Sequence, residues 1–249
     1  MVFQYTKVRL SNGEEYHMSD LTSGAGPGTV SDWAFDQLFR GILSGDISDR
    51  MSLTEATLSD HIGVSRTPLR DALQRLELAG IISRQRNRSI RINPPSLEEM
   101  ERLSMLREVL EGLLVRQAAL RFGRGLVDIA GLEEIVEQMI AADSMKGVAL
   151  QLRLGQEFHA EIARLANDPM AKRMLDQVML SFERYRHLVD GLDQRAPDIA
   201  HEHEAVVRAL RLDTPEAAET LMREHLANAR AIYADRLTQA EILNPPPDK

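Results

Sequence analysis

Three histidines in the C-terminal half stand where side chains could converge: His159 in "GQEFHAEI", His203 in "HEHEAVV" and His225 in "MREHLAN". Each falls in a separate stretch of helical periodicity. Neutral imidazoles that meet from facing helices are a common way to hold a first-row divalent metal inside a bundle. Taken singly, such histidines are also ordinary surface or hydrogen-bonded core residues, and spacing alone leaves both readings open. His201 lies two residues from His203, about 200° around a helix, so the pair cannot face one cavity. Glu157 stands in the same relation to His159 and is a poor ligand beside it. Met100, Met105, Met139 and Met179 read as core filling and not as a ligand box.

Cationic chemistry is concentrated elsewhere. Between His61 and Ile92 the chain carries Arg66, Arg70, Arg75, Arg84, Arg86, Arg88 and Arg91 against Asp71 and Glu77, a net +5 within a chain of net −8. A compact basic segment on an acidic body fits nucleic-acid contact by one part and a different task for the other. In "GVSRTPLRDALQRLELAGII", Ser65 caps a helix whose first turn and a half holds Arg66, Thr67 and Arg70. Leu69, Leu73, Leu76 and Leu78 turn toward a core. Guanidinium groups suit the task because phosphates supply most of the affinity, and the same group can grip a guanine edge bidentately. As isolated residues, these arginines also read as a solvated helix face.

Both sets of residues need elements to position them. Length, at 249 residues, predicts two domains of unequal size, and an apolar fraction of 43% with only 4% aromatics predicts a mainly α fold. No cysteine is present, which removes disulfides and thiolate metal sites and fits a reducing compartment. No apolar run approaches the roughly 20 residues of a membrane span, and the N-terminus lacks the apolar core of a signal peptide, so a soluble cytoplasmic protein is expected. Residues 1–30 end in "TSGAGPGT" and read as an extension and linker, with a weak hairpin about Asn12-Gly13 as one possibility and disorder as the other. Ser31 and Asp32 offer caps to a helix with Trp33, Leu38, Ile42 and Leu43 on its apolar side. A second helix is predicted over about Thr54 to Ile62, with Gly63 just past its end. "IISRQRNRSIRI" then reads as a small hairpin, Asn87 serving its turn and Arg84, Arg86 and Arg88 lying on it. Helix, Gly-containing turn, helix and hairpin together describe a winged helix-turn-helix over 31–95, its second helix entering the major groove.

"NPPS" at 93–96 breaks the chain before a second domain, 96–245, in which every segment reads as amphipathic helix. Breaks at Gly123 to Gly125, Ala142 to Gly147, Asn167 to Pro169, Gly191 to Pro197 and Asp213 to Pro215 make about six helices. The last begins most clearly, with Thr214 as cap, Pro215 at the first helical position, and Glu216 and Glu219 near the positive end of the dipole.

The run "LFRGILSGDI…LTEATLSDHIGVSRTPLRDALQRLELAGII" resembles the DNA-binding domain of the GntR family of bacterial transcription regulators, over roughly Trp33 to Asn93. Two departures stand out: "ISDRMSL" lacks the family's usual Pro-Gly, and "RNRSI" lacks its wing-tip Gly, so Asn87 or Arg88 must manage the tight backbone. The resemblance implies a homodimer on an inverted-repeat operator in double-stranded DNA, commonly acting as a repressor.

"LSMLREVLEGLLVRQAALR", "FHAEIARLANDPM" and "HEHEAVVRALRLDTPEAAETLMREHL" are similar to the all-helical FCD effector domain of the FadR subfamily, over about Ser96 to Leu237. Many members hold a metal such as Zn²⁺ or Ni²⁺ through one Asp and three His, and the resemblance maps those histidines to His159, His203 and His225, choosing His203 over His201. Gly155 stands where the family has its Asp, which leaves three neutral ligands and positions open for water or an anion. Arg107 matches an arginine near the subfamily's effector pocket and suits a small organic carboxylate; its other reading is a surface ion pair with Glu111. What the resemblance implies is therefore a ligand-responsive regulator and not an enzyme. Two alternatives stand beside it: a metal-free bundle that takes an acyl-type effector, and a three-His metal enzyme fused to a DNA-binding module, which the lack of a general base beside the histidines disfavours.

Overall fold

The computed structural model describes residues 8–9, 15–16, 29–48, 51–86, 89–144, 148–189, 199–212 and 214–243. The chain divides into two compact units, one of Met1–Leu78 with Ile82–Ile92 and one of Ala79–Ile81 with Asn93–Lys249.

In the first unit, strands β1 (Val8–Arg9) and β2 (Glu15–Tyr16) pair antiparallel with Val8 opposite Tyr16. The expected Asn12-Gly13 turn lies outside the described residues. Helix α1 (Val30–Ser44) is capped by Thr29, not by Ser31 or Asp32: the Thr29 hydroxyl accepts from the Asp32 N–H, and the Asp32 carboxylate accepts from the Thr29 N–H at 2.9 Å. A capping box needs its acid at the third helical position, which is why Asp32 sits inside the helix. The buried face of α1 is Ala34, Phe35, Leu38 and Phe39. Trp33 is 46% exposed, and Ile42 and Leu43 are half-buried, so the predicted apolar side is rotated.

Helix α2 (Glu55–Ile62) starts at the Thr54 cap and stops at Gly63, whose φ of +71° is the left-handed conformation that glycine adopts without a Cβ clash. Helix α3 (Arg66–Leu78) buries Leu69, Ala72, Leu73 and Leu76. Leu78 does not join them. It is 66% exposed, because two residues past Leu76 the helix has turned by about 200°. Strands β3 (Ile82–Arg84) and β4 (Ile90–Ile92) form the hairpin, Ile82 opposite Ile92, and the Ile90 N–H donates to the Leu53 carbonyl at 2.7 Å, tying the hairpin to the start of α2. Asn87 and Arg88 lie outside the described residues.

The second unit contains, among the described residues, six helices: α4 (Leu97–Gly123), α5 (Ala130–Ser144), α6 (Val148–Ala166), α7 (Pro169–Val189), α8 (Ile199–Leu212) and α9 (Pro215–Leu243). Their ends follow local chemistry. The Ser96 hydroxyl accepts from the Glu99 N–H at 3.2 Å, and the Thr214 hydroxyl accepts from the Ala217 N–H at 3.2 Å with Pro215 as the first helical residue. Helix α4 is the spine, packed against α6, α7, α8 and α9. Gly112 on α4 permits a close approach of α9, since a Cβ there would lie 2.8 Å from the Arg223 Nε. The main core gathers Leu114, Val115, Phe158, Ile162, Val206 and Met222. Met100 and Met139 are fully buried, but Met105 is 48% exposed and is not core filling. It borders an outward row on α4 of Leu106, Val109, Leu113 and Leu120, each at least 38% exposed.

Candidate metal centre and nucleic-acid interface

In the first unit, Ser65 precedes α3 and its carbonyl accepts the Leu69 N–H at 3.4 Å. Ser65, Arg66, Thr67 and Arg70 are all exposed at the start of α3. Arg70 is not free: its Nε donates to Glu55 on α2 at 2.8 Å, and Arg84 of β3 donates to the same carboxylate at 3.1 Å and to Glu77 at 3.0 Å. The two arginines hold the Glu55 carboxyl below its ordinary pKa, Arg70 being the larger cause. Arg66 and Arg86 are exposed with no ion pair among the described residues. Arg75, by contrast, lies over the Phe35 ring at 4.2 Å and pairs with Asp32 at 2.8 Å, which makes it part of the scaffold.

In the second unit, α6, α8 and α9 bring His159, His203 and His225 together, one ring nitrogen from each within 4.8 Å of the others. The ring centroids of His203 and His225 are 4.3 Å apart, and Phe158 abuts His203 edge-on at 4.5 Å. His203 and His225 are 2% and 6% exposed. Each Nδ1 meets a partner from the protein. The His203 Nδ1 is 2.7 Å from the Ile199 carbonyl, and the His225 Nδ1 is 2.7 Å from Glu202 Oε2. The His159 Nδ1 touches Glu111 Oε2, out of line for a hydrogen bond. The His203 Nε2 is buried with no hydrogen-bond partner.

The charges around this cluster are ordered. Burial pushes His159 down to about 4 against the opposing pull of the Glu111 carboxylate. Burial, reinforced by the neighbouring His225 and His159, holds His203 well below the ordinary histidine value. For Glu111 burial pulls upward, but His159 and Arg107 outweigh it and keep its carboxyl below the usual range. Glu202 is likewise lowered, its hydrogen bonds from His225 and Asn228 overcoming burial. Neutral imidazoles flanked by ionised carboxylates are the protonation states that metal ligation requires.

The remaining residues singled out in the sequence sort plainly. Arg107 pairs with Glu111 at 2.5 Å, and the pair is buried, with side chains 12% and 3% exposed, not on the surface. The Arg107 guanidinium also lies 5.8 Å from the Phe182 ring centre. His201 points away to Glu204 at 3.3 Å, and Glu157 pairs with Arg153 at 3.3 Å, so neither joins the cluster. Gly155 lies one turn before His159, and a Cβ built there would meet no atom within 4 Å. The expectation that no acid stands beside the histidines is corrected: Glu111 and Glu202 both do. Both have each oxygen in contact with a partner: Glu111 with Arg107 and His159, Glu202 with His225 and, at 2.6 Å, Asn228.

Residues 31–92 match the bacterial regulatory proteins of the gntR family, and residues 102–228 match the FCD domain. The chain belongs to the GntR family of bacterial regulators and carries an FCD domain. This regulator is 25% identical over 191 residues to the HTH-type transcriptional repressor RspR of Escherichia coli (strain K12), with 76% of this chain and 82% of that one covered. It is 28% identical over 165 residues to the Nta operon transcriptional regulator of Aminobacter aminovorans, with 66% and 75% covered. Among solved structures, E. coli McbR/YncC shares the fold, with a TM-score of 0.65, 20% identity, and 84% of this chain and 99% of that one covered. The protein is thus a DNA-binding transcription regulator, not an enzyme, with a ligand-binding domain of the FCD type. No helix among the described residues is long and apolar enough to cross a membrane.

Glu55, Glu202, Asn228 and the contact of Glu111 with His159 were not anticipated from the sequence. For Glu111 a signal existed in its i,i+4 spacing from Arg107; for Glu202 it was only adjacency to His203 in "HEHE". Asn228 carries no motif.

Proposed function

We propose that the regulator is a homodimeric repressor of an inverted-repeat operator, and that a small organic carboxylate bound at a divalent metal in the 96–245 domain sets its operator affinity. The observation that carries this reading is the histidine cluster: three imidazoles from three helices, each Nδ1 facing a protein partner, with the His203 Nε2 buried and unpartnered. That donor set fits Zn²⁺ or Ni²⁺, with His159, His203 and His225 as the ligands. A metal there would supply Lewis-acid positions for a carboxylate oxygen. Gly155 leaves open space on the His159 side where relatives of the resembled subfamily have a carboxylate, and this favours an anionic ligand brought from outside. Arg107, held against Glu111, adds positive charge near the cluster.

In the 31–95 domain, Ser65, Arg66, Thr67 and Arg70 at the start of α3 read the major groove, and Arg84, Arg86 and Arg88 of the hairpin reach the adjacent backbone or minor groove. The relative RspR is named a repressor, which supports the sign of regulation. Self-association is supported by the outward row of Leu106, Val109, Leu113 and Leu120, which spans about 60° of the α4 surface. Such a protein works in the cytoplasm, where its operator is. The test uses operator fragments selected by the protein from a random duplex library, with fluorescence anisotropy read against a panel of mono-, di- and tricarboxylates. The zinc-loaded parent should lose or gain operator affinity with at least one carboxylate and not with the matching amide, and His225→Ala should abolish the response. A response equal in parent and His225→Ala would refute the metal-linked reading.

A further inference from the structure

Two carboxylates outside the ligand set meet the histidine cluster, Glu202 through a hydrogen bond and Glu111 through a contact out of line for one. Glu202 places Oε2 2.7 Å from the His225 Nδ1 and takes the Asn228 Nδ2 on Oε1 at 2.6 Å. Glu111 sets Oε2 against the His159 Nδ1 and takes the Arg107 Nε on Oε1 at 2.5 Å. Each carboxylate therefore has one oxygen on an imidazole and the other on a donor that fixes it. The third histidine receives the same treatment from the backbone, through the Ile199 carbonyl. Neither Glu111 nor Glu202 belongs to the group whose donor atoms lie within 4.8 Å of one another, so both sit behind the histidines and not among the ligands.

We propose that Glu202, fixed by Asn228, is a positioning residue for the metal centre: it holds His225 by Nδ1 so that Nε2 is the ligand atom. The inference rests on the three-histidine metal reading above. The physical reason is tautomer choice. An imidazole whose Nδ1–H donates to a carboxylate keeps its lone pair on Nε2, and the partial negative charge it borrows makes that nitrogen a stronger donor. The buried His203 Nε2, left without a partner while its Nδ1 faces a carbonyl, has the orientation this arrangement predicts for His225. The Arg107 Nε is committed to Glu111, which leaves its other guanidinium donors for effector contact. Its helix, α4, is also the one that begins at the Ser96 cap.

The experiment compares the full-length parent with Glu202→Gln, Glu202→Ala and Asn228→Ala, each purified without a histidine tag and stripped of metal. Zn²⁺ affinity is measured by competition with a chromophoric chelator, and the visible absorption of the Co²⁺-loaded proteins reports the ligand set. Far-UV circular dichroism and thermal melting check the fold. Glu202→Gln should keep the parent's Co²⁺ band positions while lowering Zn²⁺ affinity by about 10- to 100-fold. Glu202→Ala should lower it at least as far, and Asn228→Ala by less. A parent that binds Zn²⁺ while Glu202→Gln binds it equally well would overturn the positioning role alone. A Co²⁺ spectrum for Glu202→Gln that changes as it does for His225→Ala would overturn it too, by making Glu202 a ligand. A parent that binds neither Zn²⁺ nor Co²⁺ would overturn the metal reading, and the proposal with it.

Discussion

At the scale of single residues, the cluster depends on where charge is allowed. Burial holds His159 and His203 below the ordinary histidine value, and the acids beside the cluster stay ionised because each has a cation or an amide to rest on. Gly155 is the position where this balance can be altered by one side chain. Because a Cβ there meets nothing within 4 Å, Gly155→Asp should fold normally and bring a carboxylate one turn from His159. Zn²⁺ affinity should rise on the order of tenfold, about 1.4 kcal/mol. The response of operator binding to carboxylates should weaken, because the new charge competes for the same space. Calorimetric titration of Zn²⁺ into the stripped protein checks the first effect, and unchanged affinity would mean that position 155 does not face the cluster. The three histidines stood out because each lies within its own helical stretch, but spacing left their role open, and the likeness to the FCD domain is what assigned them to a metal. Glu111 could not be paired with His159 in advance, since their contact joins α4 to α6 and depends on how those helices pack.

At the scale of elements, helix α3, proposed to enter the major groove, carries an exposed start and a buried face with separate consequences. Its exposed start carries Arg66, which has no ion pair among the described residues, so its guanidinium is available to DNA without breaking an existing contact. Arg66→Ala should cost about 1–3 kcal/mol of operator binding and relax preference at one base position, as read by anisotropy at fixed salt. Its buried face carries Leu69, fully enclosed, and Leu69→Ala should destabilise the protein by about 2–5 kcal/mol in urea unfolding, with the DNA-contact residues untouched. Parent-like stability for that variant would mean that α3 is not packed as described. Most helix ends were legible, because Gly63, Pro169, Thr214 and Pro215 act through local backbone chemistry. The rotation of α1 and the exposure of Leu78 were not. In α1 the true cap, Thr29, lay in a stretch that read as linker, and Leu78, two residues past Leu76, is turned by about 200° onto the opposite face.

At the scale of the whole molecule, the charge division seen in the sequence corresponds to two compact units, one matching the gntR family and one the FCD domain. The apolar row on α4 would place the proposed self-association in the FCD unit. Light scattering at micromolar concentration should therefore give the mass of a dimer, and Val109→Glu with Leu113→Glu should give a monomer that retains its helical circular dichroism; a dimer that survives both changes would place the interface elsewhere. The central claim is that this unit is organised around a metal held by three histidines. The most direct test is elemental analysis of the untagged protein after incubation with Zn²⁺ and exhaustive dialysis, for the parent and for His203→Ala. One Zn²⁺ per parent chain is expected, with loss of retained metal in His203→Ala, since losing a ligand should weaken binding by more than the roughly 10- to 100-fold typical of outer partners. A parent that retains no metal, or a His203→Ala variant that retains as much as the parent, would contradict it.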